Sequence, residues 1–134
     1  MKKLDNFSNC FNVLKNADWT IAEQNEIYKT GVISQFNLTF ELAWKALQEI
    51  MRLHGITSVE TGSPREILKL GYKFGFIDDE QCWLLMLRKR NTTIYIYDEN
   101  EINDMLTLIR ESFIGAFDRM EQILLAKLEE VELS

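Results

Sequence analysis

With 134 residues, 46% of them hydrophobic and 27% charged, the chain has the makings of one globular domain, 1–134, and not of a disordered segment. A net charge of −6 opposes general binding to a phosphate backbone, and the longest apolar run, Cys82 to Leu87, is far too short to span a membrane. Cys10 and Cys82 are isolated beside a single histidine, His54, which supports neither a zinc site nor a disulfide framework. Met1-Lys2-Lys3-Leu4 begins like a secretion signal, but Asp5, Asn6, Ser8 and Asn9 interrupt the apolar stretch that should come next, so a reducing cytoplasm is the expected compartment.

One proline and six glycines leave few breaks, which favours long helices. Leu4, Phe7, Phe11 and Leu14 recur at helical spacing and predict a first helix from Leu4 to about Asn16. A long second helix is predicted from about Glu23 to Leu53, with Ile33, Phe36, Phe40, Ala43, Leu47 and Ile50 stepping by three and four as a bundle seam. Leu38, Leu42 and Ala46 form a second apolar stripe, and Ser34, Asn37, Glu41, Lys45, Gln48 and Arg52 form the polar face, with Glu41 and Lys45 as an i,i+4 pair. Gly55 supplies the stop. A sector this wide exceeds what one neighbour covers and predicts a homodimer.

Three capping boxes announce the remaining helices. Ser63-Pro64-Arg65-Glu66 opens a short third helix ending near Phe74 and Gly75. Asp78-Asp79-Glu80-Gln81 opens a fourth, from Asp79 to about Asn91, and Asp98-Glu99-Asn100-Glu101 opens the last, from about Glu99 to Glu130. In that last helix Ile102, Leu106, Ile109, Phe113, Ala116, Met120 and Ile123 keep heptad spacing. Thr92 to Tyr97 has β-like composition but is too short and isolated for a sheet, and reads as a connection. The predicted fold is all-α, an antiparallel four-helix-type bundle of about five helices, the second and last longest.

Arg88, Lys89 and Arg90, followed by the polar Asn91, form the one local basic cluster. It reads either as a helix end, where cations complement the macrodipole, or as a nucleotide or RNA contact. Just beyond it, Arg90 is followed after four residues by Tyr95 and, one residue later, by Tyr97. Together with Phe36-Asn37-Leu38-Thr39-Phe40-Glu41-Leu42-Ala43-Trp44-Lys45 and Ser63-Pro64-Arg65-Glu66, the segment Arg90 to Glu99 resembles the nucleotidyltransferase substrate-binding proteins, a branch of the HEPN superfamily. The signature of that superfamily is an arginine, four residues, a histidine, one residue and a tyrosine. Arg90 and Tyr97 fit it, and Tyr95 stands in the histidine position. The resemblance implies a small antiparallel bundle that dimerises and acts beside a minimal nucleotidyltransferase as a two-component, toxin–antitoxin-like system. In some branches the helical protein is the toxin, and the nucleotidyltransferase silences it by adding AMP to a tyrosine, a role that would fall here on Tyr97. ATP and Mg would then belong to the partner, with no cofactor on this chain.

Cleavage of RNA needs a base for the 2′-hydroxyl proton and a cation for the phosphorane. Arg90 offers the cation. Tyr95, with an ordinary pKa of about 10, would be about one part in a thousand phenolate at neutral pH, far below what a histidine supplies. His54, before Gly55 at a predicted helix end, fits a carbonyl-binding role better than a catalytic one. Tyr97 is also placed to pack on Ile102 as a hydrophobic staple. Trp44 and Trp83 read as core or interface. Gly62-Ser63 has the look of a nucleotidyltransferase start, but the paired carboxylates flanking an apolar residue are missing, so the chain is not itself the transferase. The expected function is a regulatory or substrate-binding partner of a minimal nucleotidyltransferase. The alternatives are an active ribonuclease toxin using Arg90 and an unconventional base, its tyrosine silenced by AMP transfer, and a homodimeric interaction module without nucleotide chemistry.

Overall fold

The computed structural model describes residues 2–92 and 98–133, and every regular element among them is helical. In chain order these are α1 (Lys2–Lys15), α2 (Trp19–Gln24), α3 (Glu26–Leu53), a 3-10 turn (Thr57–Val59), α4 (Pro64–Lys73), α5 (Glu80–Thr92), α6 (Glu99–Leu108), a π-helical turn (Ile109–Phe113) and α7 (Ile114–Leu133).

Local side-chain chemistry sets most of the boundaries. Ser63 Oγ accepts from the Glu66 amide at 3.3 Å, with Pro64 as the first helical residue. Asp98 accepts from the Asn100 amide at 2.7 Å and opens α6, as its spacing predicts. Two starts differ from the sequence reading. The long helix begins at Glu26 rather than about Glu23, because Asn25 leaves helical geometry (φ −128°, ψ 112°) and its side chain accepts from the Tyr28 amide at 2.8 Å. The preceding turn forms a separate α2, capped by Asp18. At α5 the cap is Asp79, which accepts from the Cys82 amide at 3.1 Å, while Asp78 pairs with Arg119 at 2.7 Å.

The predicted last helix is interrupted by the π turn between α6 and α7. A π turn inserts an extra residue into the helical ladder and rotates the remainder of the helix about its axis. The buried face accordingly passes from Ile109 and Phe113 to Ala116, Phe117, Met120 and Leu124, and Ile123, which the heptad would bury, is only half-buried.

α1, α3, α5 and the α6–α7 unit run up, down, up, down. Phe36 stacks on Phe113 at 5.2 Å and His54 meets the Lys127 carbonyl at 2.8 Å, so α3 and α6–α7 share a direction. α5 returns alongside them, with Asp78 at Arg119 and with Leu85 lining one cleft together with Glu111 and Ser112. All four meet at the ring of Phe117, whose centroid lies 6.1 Å from Phe7, 5.7 Å from Phe11, 6.0 Å from Phe36 and 5.5 Å from Trp83. The seam of α3 from Ile33 to Ile50 is buried against these neighbours within one chain, Ala46 included. Of the stripe beside it, Leu38 stays exposed and Leu42 half-buried. α4 approaches α3 so closely that a Cβ on Gly71 would lie 2.9 Å from Leu47 Cδ2. None of the helices described is long and apolar enough to cross a membrane.

Candidate functional site

The basic cluster occupies the last turn of α5, where Lys89 and Arg90 complement the negative end of the helix dipole. Arg88 and Asn91 are exposed, and Lys89 and Arg90 are half-buried. The Arg90 guanidinium does not simply extend into solvent. Its Nη2 donates to Glu41 Oε2 on α3, and its Nη1 donates to Asn91 Oδ1 at 3.2 Å. The other oxygen of Glu41 pairs with Lys45 Nζ at 3.5 Å, which is the i,i+4 pair read from the sequence. Side-chain exposure of 33% for Arg90 and 27% for Glu41 places their contact in a partly screened setting, where a charge-assisted bond holds better than on an open surface.

This contact brings together two of the three segments behind the family resemblance, the one on α3 and the one that begins at Arg90. The third does not join them. Ser63-Pro64-Arg65-Glu66 serves as the start of α4, with Ser63 Oγ also 3.3 Å from the Glu66 carboxylate. The role of Glu41 toward Arg90 was missed in the sequence, where its i,i+4 spacing to Lys45 was the visible signal. Tyr95 and Tyr97 lie outside the described residues, and so does the staple between Tyr97 and Ile102.

His54 caps the far end of α3. Its Nε2 is 2.8 Å from the Lys127 carbonyl and 4.0 Å from Glu130, and its ring meets Phe76 edge-on at 5.3 Å. The carbonyl it engages belongs to α7 rather than to its own helix. From Glu41 to His54 the helix advances roughly 20 Å at about 1.5 Å per residue, so His54 is not a base for a reaction at Arg90. Trp83 is fully buried between Phe40 and Phe117, a core residue as its spacing implies. Trp44 is partly buried, with Lys45 Nζ 5.8 Å from its ring. Among the described residues, His, Cys, Asp and Glu nowhere gather in a group of three or more fit for a metal ion.

What the site offers chemically is a guanidinium shared between α5 and α3, a second cation at Lys45 and the amide of Asn91, at the point where the chain leaves α5. That is an arrangement for holding an anion or a partner's acidic side chain, provided Glu41 is outcompeted.

Comparison with known proteins agrees with this architecture. The family described as nucleotidyltransferase substrate binding protein like matches residues 2–126. A curated relative, the probable ribonuclease HepT of Haemophilus influenzae, is 25% identical over 95 residues, a match covering 69% of this chain and 65% of the relative. A solved Haemophilus influenzae structure, described as revealing the fold of a substrate binding domain of a nucleotidyltransferase, superposes with a TM-score of 0.76. That alignment covers 90% of this chain and 98% of the other at 20% identity, and at that identity the likeness concerns the fold. Since the family match runs through nearly the whole chain, this protein belongs to the nucleotidyltransferase substrate binding protein-like family.

Proposed function

We propose that the chain is the helical partner of a minimal nucleotidyltransferase, which it binds in the cytoplasm, and that it presents a substrate or its own Tyr97 rather than cleaving RNA. The observation that carries this reading is the family match from residue 2 to residue 126, combined with a tyrosine, Tyr95, in the place of the signature histidine. Phenolate is scarce at neutral pH, which removes an efficient base. The pairing of Arg90 with Glu41 supports the same reading, because a guanidinium engaged by a carboxylate offers less positive charge to a phosphorane.

Transfer to Tyr97 would form a bond from its phenolic oxygen to the α-phosphorus of ATP, break the bridging bond to the β-phosphate and release pyrophosphate. The phenolic proton would pass to a base on the partner, which also brings ATP and Mg. Asp98 opens α6 directly after Tyr97, so free N–H groups at a positive helix end lie next in the chain and favour an added phosphate. A homodimer belongs to the same proposal, supported by the exposed Leu38 and half-buried Leu42 on the outer side of α3.

Co-expression with the nucleotidyltransferase encoded in the neighbouring reading frame tests the reading. The two should co-elute through affinity and size-exclusion steps, and with ATP the intact mass of this chain should rise by one AMP, lost on Tyr97→Phe. Separate elution overturns the partnership. Co-elution with no mass increment leaves the partnership and removes the modification. The name of the Haemophilus relative favours a second reading, an active ribonuclease using Arg90 and Tyr95, and robust RNA cleavage by the purified chain would establish it.

A further inference from the structure

We propose that the open cavity between α2, α3 and α6 is a binding site for a small, hydroxyl-bearing phosphate monoester. The cavity measures about 340 Å³ and is lined by Trp19, Glu23, Lys29, Asn103, Thr107 and Arg110, among others. It involves none of the residues of the Arg90 site.

Lys29 is the first reason. Its side chain is 7% exposed, a rare placement for an ammonium, which normally snorkels to water. Its one acceptor among the described residues is Glu26 Oε1 at 3.3 Å, on a carboxylate that is itself 64% exposed. An ammonium carries three donors, so a buried cation faces this cavity with donors that the described residues leave unused. Burial of such a group is stabilised when an anion completes its coordination.

Arg110 is the second. Its guanidinium lies 5.5 Å from the centre of the Trp19 ring, a contact that fixes the plane of the fork without neutralising it. Arg110 sits in the π turn Ile109–Phe113. Such turns are rare and are frequently found at functional sites. Here the turn interrupts the helix at the residue that adds the second cation to the cavity. A tetrahedral dianion can take the spare donors of Lys29 and the fork of Arg110 together.

Glu23 decides what else the ligand carries. A carboxylate in the same lining repels a bare anion but accepts hydrogen bonds from hydroxyl groups. The Thr107 hydroxyl already donates to the Asn103 carbonyl at 3.0 Å, which leaves the Asn103 amide as the further polar group of the wall. Two cations and one acceptor fit a phosphate attached to a polyol better than inorganic phosphate. Sugar phosphates and nucleoside monophosphates both have this chemistry.

Isothermal titration of the full chain with ribose 5-phosphate, AMP, inorganic phosphate and ribose tests the assignment. Saturable binding of at least one of the two esters is expected in the millimolar range or tighter, with inorganic phosphate weaker and ribose silent. Whichever ester binds more tightly identifies the source of the phosphate. Lys29→Met should abolish binding, and Arg110→Gln, at an exposed position that leaves the fold intact, should weaken it by roughly tenfold or more. No saturable binding of either ester, or binding unchanged in Arg110→Gln, overturns the proposal. Ribose or inorganic phosphate binding as tightly as the esters overturns the assignment to a phosphate monoester.

Discussion

The guanidinium of Arg90, near the end of α5, donates to the carboxylate of Glu41 in the middle of α3, across 49 positions of sequence. This contact ties the helix that carries the basic cluster to the longest helix of the bundle. Both side chains are about one-third exposed or less, so the bond is neither a screened surface pair nor a fully desolvated one. Arg90→Ala is expected to lower stability by about 1–3 kcal/mol. A double-mutant cycle with Glu41→Gln should return a coupling of about 1 kcal/mol, measured by urea denaturation. A coupling indistinguishable from zero would show that the pair does not hold α5 to α3.

Phe117 is where α1, α3, α5 and α7 converge, and its ring is fully buried. Truncation there leaves a cavity bordered by four aromatic rings that cannot all move in. Phe117→Ala should cost about 3–5 kcal/mol, and Phe117→Leu clearly less. A loss under about 1 kcal/mol for the alanine variant would mean that the ring is not the keystone of the core.

Cys82 gives a prediction in pH. Burial first, and the Asp79 carboxylate second, push its thiol above the ordinary value of 9.0; Arg119 opposes them and Asp78 adds to them. Because the thiolate is the nucleophile, alkylation of the folded chain at neutral pH should be slower than that of the unfolded chain. The folded pKa lies above the unfolded one, so the contribution to stability is complete below 9.0 and is lost as pH rises through the folded value. Urea midpoints of wild type and Cys82→Ala should therefore converge or cross as pH climbs above 9.0. A constant difference across that range would contradict the shift.

Tyr95 in the signature's histidine position predicts poor RNA cleavage near neutral pH. Restoring the base with Tyr95→His should raise cleavage by about a hundredfold or more, and Arg90→Ala in that background should remove the gain. Robust wild-type cleavage, lost with Arg90→Ala but kept with His54→Ala, would show instead that the site works with tyrosine.

Legibility from sequence tracked the range of each interaction. The caps at Ser63 and Asp98 could be read because the side chain and the amide it binds lie within three residues. The core seam of α3 was legible for the same reason, since a helix repeats its buried face at fixed spacing. Asn25 was not, because an asparagine is tolerated within a helix and its capping bond to the Tyr28 amide leaves no mark on the apolar spacing. The π turn was hidden because Ile109, Phe113 and Ala116 satisfy a heptad with or without it, and the change surfaces in the burial of Phe117 and in that of Leu124 in place of Ile123. At the site, spacing singled out Arg90, but the crossing of α3 and α5 selected Glu41 as its partner. The burial of Lys29 has no signal in a helical pattern, since tertiary packing and not spacing determines it.

The central claim is that this chain works in complex with a minimal nucleotidyltransferase. Native mass spectrometry of the pair, co-expressed from neighbouring reading frames and purified through a tag on the nucleotidyltransferase, tests it most directly. The expected result is a discrete species whose mass is the sum of whole numbers of both chains, stable at micromolar concentration. Spectra holding the nucleotidyltransferase alone, with this chain left in the unbound fraction as folded protein, would contradict it.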